Sequence, residues 1–448
     1  MSALWSSAAL VAATGGSASA EFAVDGISID TRGLRPGDLF VALVGHHGDG
    51  HDHVAEAFAR GAAAALVHRA VEAPGPVLRV ADTLDGLAAI GRAGRARFAG
   101  RCIALTGSAG KTSSKEMLRA MLSLAGPTHA AEGSHNNHWG VPLTLARLPA
   151  TAAFAVVEIG TNHPGEIAPL ARLARPHATI ITMIGDTHIG QFGSRAAIMR
   201  EKATVMDALV PGGVAVVPDE PAELADLAPP GARALRFGEA PACDARLLSA
   251  AGDLHGSVVA VSLGGRPLEF RLGAPGRHMA MNALACLAAI DALGVDVALV
   301  APALAGFAPV TGRGARRPLL GGAATLIDES YNAAPQSVRA ALDLLRMARG
   351  ERRLAVLGDM LELGEQGPAL HAGLAGDVVA AADLLFTCGP LMRHLFEAVP
   401  EHLRAAHAAS AAELAPAVRR ALRPGDMVLV KGSNGSRMRD VVAAIEAA

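Results

Sequence analysis

Arg101-Cys102-Ile103-Ala104-Leu105-Thr106-Gly107-Ser108-Ala109-Gly110-Lys111-Thr112 passes from an apolar run into a glycine loop. The first half reads as a buried strand. Beyond the loop, Met117, Leu118, Met121 and Leu122 recur at helical spacing, so a helix begins near Lys111. Strand, glycine loop and helix together make the setting of a phosphate loop. Glycines let backbone N–H groups converge on phosphate oxygens, and the helix N-terminus adds partial positive charge. Lys111 would reach the β- and γ-phosphates, and the Thr112 hydroxyl would face Mg²⁺. The first glycine of the common G-x-x-x-x-G-K-[ST] pattern is absent, because Leu105 holds its place. Six residues alone could be an ordinary turn; the flanking strand and helix favour nucleotide binding by Gly107, Ser108, Ala109, Gly110, Lys111, Thr112 and Ser113.

Further residues fit the same chemistry. Ala153–Val157 reads as a second apolar strand with Glu158 at its carboxyl end, where open α/β sheets bind ligands. A third strand, Ala178–Ile184, leads to His188, and Lys202 follows in a helical stretch, Arg195–Leu209. Each has a plainer reading: Glu158 as a helix cap, His188 as a loop hydrogen-bonder, Lys202 as a solvated charge. One mechanism uses them all. An ATP-dependent amide ligase moves the γ-phosphoryl to a carboxylate, and an amine then displaces phosphate. Both steps gather negative charge and need a phosphate cradle, cations and Mg²⁺. Two metal ions would suit this chemistry. A lysine beside a metal becomes useful once CO₂ converts it to a carbamate.

Outward from this core, the 448 residues divide into three blocks. Residues 1–98 hold short strands (Ser28–Ile29, Leu39–Ala42, Ala65–His68), residues 99–312 open with the phosphate loop, and residues 313–448 alternate strands with helices. The strands of the last block are Ala324–Ile327, Arg353–Leu357, Ala382–Thr387 and Met427–Val430. Such alternation predicts an α/β chain with mostly parallel sheets. Lys plus Arg number 40 against 42 for Asp plus Glu, so no global charge draws the chain to nucleic acid or an anionic membrane. No apolar run is long enough to span a bilayer. Four scattered cysteines make no disulfide framework and suit a reducing cytoplasm. Met1–Ala20 imitates a signal peptide but lacks early basic residues, and is expected to form a helix and turn of the first domain.

The motifs resemble those of the Mur ligases over residues 26–446. Ile29-Asp30-Thr31-Arg32 and Pro36–Leu43 are similar to the family's uridine-nucleotide domain. Thr106–Thr112 resembles its own form of phosphate loop, so Leu105 is no departure. Asn136-Asn137-His138-Trp139-Gly140-Val141-Pro142, Glu158–His163, His188 with Phe192-Gly193-Ser194, and Lys202 match further family segments. Asp328-Glu329-Ser330-Tyr331-Asn332-Ala333-Ala334-Pro335, Leu357–Gly364 and Lys431-Gly432-Ser433 are similar to the branch that adds D-alanyl-D-alanine. They speak against the other Mur branches, and the first domain speaks against a folylpolyglutamate synthase. A rival of another class is an ATP-binding module that ligates nothing.

The resemblance implies three α/β domains: a UDP-substrate domain, a P-loop ATPase domain and a Rossmann-like domain closing over ATP. It implies UDP-N-acetylmuramoyl-tripeptide and D-alanyl-D-alanine as substrates in peptidoglycan synthesis, and a cytoplasmic monomer. Lys111, Glu158, His188, Lys202 and Arg313 would be catalytic; Thr112, Glu158, His188 and carbamylated Lys202 would organise two Mg²⁺ ions. Asn282 and Tyr331 would lie near adenine, Asn332 near the nucleotide, and Arg313 at the phosphates. Ser28, Asp30, Thr31, Arg32, Asp49, Asn136 and Asn137 would meet the UDP substrate. Tyr331, the only tyrosine, could instead be a buried aromatic at a strand end, and Arg32 and Arg35 could be solvated turn residues. His46-His47-Gly48-Asp49-Gly50-His51-Asp52-His53 could suggest a transition-metal site, but without cysteines and with flexible glycines it reads better as a substrate loop. Met279, Glu329, Asn434 and Ala203-Thr204 depart from the family pattern.

Overall fold

A computed structural model describes residues 3–45 and 48–447; His46 and His47 of the histidine-rich loop lie outside the described residues. Each block builds its own sheet. The first has the order Ser17–Ala18, Val77–Arg79, Ala64–Val67, Asp38–Val41, Gly26–Ser28. Its ladders are parallel except for the edge strand Ser17–Ala18. The strand expected at Ser28–Ile29 ends at Ser28, because the Ser28 hydroxyl turns back to bond Asp30 O and Asp30 N. The expected N-terminal helix is Ser7–Thr14, capped by Ser6 and stopped by left-handed Gly15. Leu10 on this helix is fully buried in one core with Ile27, Leu39 and Leu66.

The central sheet has nine strands in the order Thr128–Ala130, Phe154–Glu158, Arg101–Thr106, Ala178–Ile181, Val214–Pro218, Arg233–Gly238, Ala245–Asp253, Gly256–Leu263, Arg266–Leu272. Arg101–Thr106 pairs in parallel with Phe154–Glu158 on one side and Ala178–Ile181 on the other. Strand order therefore reverses about the strand that feeds the glycine loop, which is where open α/β sheets bind ligands. The last two strands are antiparallel and went unpredicted. The third expected strand stops at Ile181, not Ile184, because Met183 O accepts Ser108 N (2.9 Å). The helix expected over Arg195–Leu209 ends at Ala203 and gives way to a 3₁₀ turn, Met206–Ala208. There the Thr204 hydroxyl bonds Glu201 O (2.7 Å).

The third sheet has the order Ala315–Leu319, Ala324–Glu329, Asp426–Lys431, Arg352–Gly358, Leu384–Cys388, Arg404–Ala408, parallel after its first strand. Helices Pro335–Met347 and Ala411–Ala421 belong to separate apolar clusters of this domain. The cluster holding Val338 and Leu342 continues into Val157, Ile184 and Ile189 of the central domain. No helix among the described residues is long and apolar enough to cross a membrane.

The first domain docks on the central one through Thr83–Arg97 packed against Gly140–Ala146. Gly91 and Gly94 let the two backbones touch: a Cβ on Gly94 would stand 2.1 Å from Leu145 O. Gly94→Ala must therefore force the helices apart. It should lower stability by roughly 1–3 kcal/mol, the usual range for overpacking, read by chemical denaturation against wild type.

Candidate active site

The phosphate loop is held from beneath. The Ser108 hydroxyl accepts from Gly185 N (2.9 Å), and Thr187 Oγ1 donates to Ser108 O (3.2 Å). Ser108 therefore braces the loop against the strand end of Ala178–Ile181. Gly110 opens the helix Lys111–Leu122 at φ 83, a region that disfavours side chains, and a Cβ there would lie 2.6 Å from Asn282 Oδ1. Asn282 thus lies against the loop. The first N–H groups of this helix have no intrahelical acceptor and face any ligand at its mouth. Lys111 folds back, with Nζ donating to Gly107 O (2.7 Å).

Parallel pairing sets Glu158 beside Leu105, the residue two before the glycine loop. Glu158 is 1% exposed. Its Oε1 accepts from Thr112 Oγ1 (3.1 Å) and Asn136 Nδ2 (2.8 Å). Its Oε2 is buried without a partner. This fits an oxygen-ligated cation: Thr112 and Glu158 offer hard oxygen donors, and one oxygen stands unclaimed. Among the described residues no three His, Cys, Asp or Glu converge as a metal cage; His46 and His47 of the histidine-rich loop lie outside them. Its Asp49 instead accepts from His51 Nδ1 (2.6 Å) and Arg69 (3.1 Å). Burial opposes ionisation there, yet the His51 and Arg69 hydrogen bonds hold Asp49 at about 2.

Charge converges on the loop. Burial lowers Lys111 below the ordinary lysine range; Glu158 opposes this and Arg313 adds to it. Lys202 is 3% exposed. Burial drives it well below the ordinary lysine range, the Lys111 charge pushes it further, and Glu201 opposes. No carboxylate of the described residues lies within ion-pair reach of its ammonium. The arrangement thus brings Lys111, Thr112, Glu158, Asn136, Lys202 and Arg313 into mutual influence. His188 stands in the loop that braces Ser108 and has Glu362 against its Nδ1. Through that contact His188 holds the Glu362 carboxyl below the ordinary glutamate range.

The other expected residues have the following surroundings. Tyr331 is 41% exposed, with Arg313 Cζ 3.8 Å over its ring and its hydroxyl 2.7 Å from Ser134 Oγ. Asn332 Oδ1 accepts Ala333 N (2.9 Å), and its carbonyl accepts Lys431 Nζ (2.9 Å). Asn137 Oδ1 accepts Trp139 N and Gly140 N (3.1 and 3.0 Å). In the first domain, Asp30 binds the exposed Arg32 (2.6 Å), and Thr31 is buried. Of the departures, Met279 packs in the core, and Glu329 reaches Lys431 at 3.1 Å. Asn434 begins a 3₁₀ turn, and Ala203 is buried.

Sequence reasoning missed Lys115. It is fully buried, with Nζ donating to Ala131 O (2.8 Å) and Gly133 O and pairing with Glu116 (2.9 Å). A lysine one turn after Lys111, on the apolar face of the helix, was the available signal. Also missed was a cavity of about 420 Å³ beyond the carboxyl ends of the third sheet, lined by Asp359, Ser410, Ser436, Arg437 and Asp440.

Comparisons with known proteins agree along the chain. Family models match residues 23–95 (Mur ligase family, catalytic domain), 105–290 (Mur ligase middle domain) and 315–434 (Mur ligase, glutamate ligase domain). The UDP-N-acetylmuramoyl-tripeptide–D-alanyl-D-alanine ligase of Synechocystis sp. is 35% identical, covering 95% of this chain and 93% of its own. MurF from Acinetobacter baumannii superposes with TM-score 0.87 at 32% identity, covering 99% of both chains. The MurF ligase of Thermotoga maritima in complex with ADP gives 0.81 at 26% identity, covering 94% of this chain and 97% of its own.

Removing the loop's ammonium tests the phosphate cradle directly. Lys111→Ala should weaken ATP binding at least tenfold, about 1.4 kcal/mol, while the melting curve stays cooperative. Nucleotide titration by calorimetry gives the answer.

Proposed function

Because the chain belongs to the Mur ligase family, we propose that it is an ATP-dependent ligase joining D-alanyl-D-alanine to UDP-N-acetylmuramoyl-tripeptide through an acyl phosphate. The product is the UDP-linked muramoyl pentapeptide used in peptidoglycan synthesis. The observation that carries this reading is a convergence at the phosphate loop: a buried carboxylate with one open oxygen, and cationic groups from two domains whose charges act on Lys111. The division of labour we assign is residues 1–98 for the UDP substrate, 99–312 for ATP and 313–448 for closure over both. The matched family segments fall inside these bounds.

The tripeptide carboxylate attacks the γ-phosphorus of ATP and ADP leaves. The dipeptide amine then attacks the acyl carbon, loses a proton, and phosphate departs. Lys111 and Arg313 neutralise charge on the phosphoryl oxygens, which is where both steps accumulate it. Gly107 to Ser113 cradle the phosphates, with Asn282, Tyr331 and Asn332 toward the nucleotide. Thr112, Glu158, His188 and a carbamylated Lys202 would hold two Mg²⁺ ions, which when bound supply Lewis-acid charge at the phosphates. Burial favours the neutral amine that carbamylation needs, and lowers the Lys202 ammonium accordingly. Asn136 and Asn137, with Ser28, Asp30, Thr31, Arg32 and Asp49, serve the UDP substrate. All these residues come from one chain, consistent with a monomer. The four unpaired cysteines suit the cytoplasm.

Phosphate release should depend on both the UDP-tripeptide and D-alanyl-D-alanine; ATP turnover indifferent to both would instead mark a nucleotide-binding module. Lys202→Ala should lose at least 100-fold in kcat, about 2.7 kcal/mol, and a short carboxylic acid should restore part of it. Undiminished turnover in that variant removes Lys202 from the mechanism.

A further inference from the structure

The loop that carries His188 is gripped by the third domain at two points. Gln336, at the start of helix Pro335–Met347, meets Asp186 twice: its Nε2 donates to Oδ2, and its Oε1 accepts the backbone N–H at 3.4 Å. Asp186 is also held by Arg195 through both oxygens (3.0 and 2.8 Å). Four residues on, Gly190 N donates to Glu362 O (2.9 Å). The two backbones are in contact here, since a Cβ on Gly190 would lie 2.7 Å from Gly364 N. This second grip aims the Glu362 carboxylate at His188 Nδ1.

Two non-glycine residues adopt left-handed backbone at this contact, His188 at φ 63 and Glu362 at φ 66. Such conformations are held only where surrounding structure fixes them, and they gather at functional sites. An imidazole has two nitrogens. A histidine that ligates a metal through one commonly presents the other to a carboxylate, which fixes ring orientation and tautomer. We propose that Glu362 is the positioning residue for His188, supplied across the domain boundary, so that the metal-facing histidine is set only when the third domain is docked. Its side chain is half exposed, so this role does not derive from core packing.

This rests on His188 facing metal, and the experiment separates the two ideas. Mn²⁺ affinity of the ATP-loaded full-length enzyme is measured by the paramagnetic resonance signal of free Mn²⁺, beside the Mg²⁺ dependence of turnover. Glu362→Ala should weaken Mn²⁺ binding about tenfold and raise half-saturating Mg²⁺ in parallel. Glu362→Gln, which keeps an acceptor oxygen in place, should recover part of the loss. Adding Glu362→Ala to His188→Ala should cost nothing more, because a positioning residue has no effect without the ring it orients. Unchanged Mn²⁺ affinity in Glu362→Ala, with His188→Ala weakened, overturns this inference alone. Unchanged affinity in His188→Ala overturns it together with the metal reading of His188.

Discussion

Glu158 is a nearly fully buried carboxylate with one oxygen doubly hydrogen-bonded and the other open. Leaving a buried acceptor unpaired costs about 1–3 kcal/mol, more when charged. The surroundings are arranged to tolerate it. Parallel pairing of Phe154–Glu158 with Arg101–Thr106 brings the carboxylate to the mouth of the glycine loop. Lys111 supplies the opposing charge, and the first turn of Lys111–Leu122 supplies unpaired N–H groups. Carboxylate and glycine loop share one small volume because two adjacent strands end at the same level.

The same carboxylate links this pocket to the other domains. Asn136, one of its two partners, belongs to a loop that touches all three. Lys115 anchors that loop through Ala131 O and Gly133 O. Glu132 meets Arg35 of the first domain (3.4 Å), and Ser134 meets Tyr331 of the third (2.7 Å). Trp139 packs on Gly45, where a Cβ would come within 3.0 Å of its ring. Both outer domains therefore touch the segment that carries Asn136, whose side chain bonds Glu158 at 2.8 Å. A domain movement that displaced this segment would therefore act on geometry as well as on solvent exclusion, the condition under which domain motion can set turnover.

The legible parts of the sequence were those written locally. The glycine loop follows an apolar strand and precedes a helical spacing within 22 residues, Arg101 to Leu122, and the structure builds that unit. Glu158 was readable because strand ends in such sheets face ligand. Gln336 with Asp186 and Glu362 with His188 were not, since these pairs are 150 and 174 positions apart and depend on how two domains meet. The strands from Gly256 to Leu272 escaped because a hairpin appended to a parallel sheet breaks the alternation of strand and helix. Tyr331 was placed near adenine by the family resemblance alone; the Arg313 over its ring and the Ser134 at its hydroxyl are contacts between distant segments that no local pattern encodes.

The lack of any three-ligand cage among the described residues bears on how a metal could be held. Mg²⁺ binds through one or two carboxylates plus substrate phosphates, and it keeps several waters. With Thr112 and Glu158 as the oxygen donors at the loop, a Mg²⁺ ion held there as proposed would draw most of its affinity from the nucleotide. Nucleotide and cation then bind as a coupled pair, and whatever binds the native state alone stabilises it by mass action. The open oxygen of Glu158 is a site of stored cost in the free protein and of favourable contact in the loaded one. Arg313, from the third domain, already lies near enough for its charge to act on Lys111, so the docked third domain and the glycine loop share one electrostatic environment.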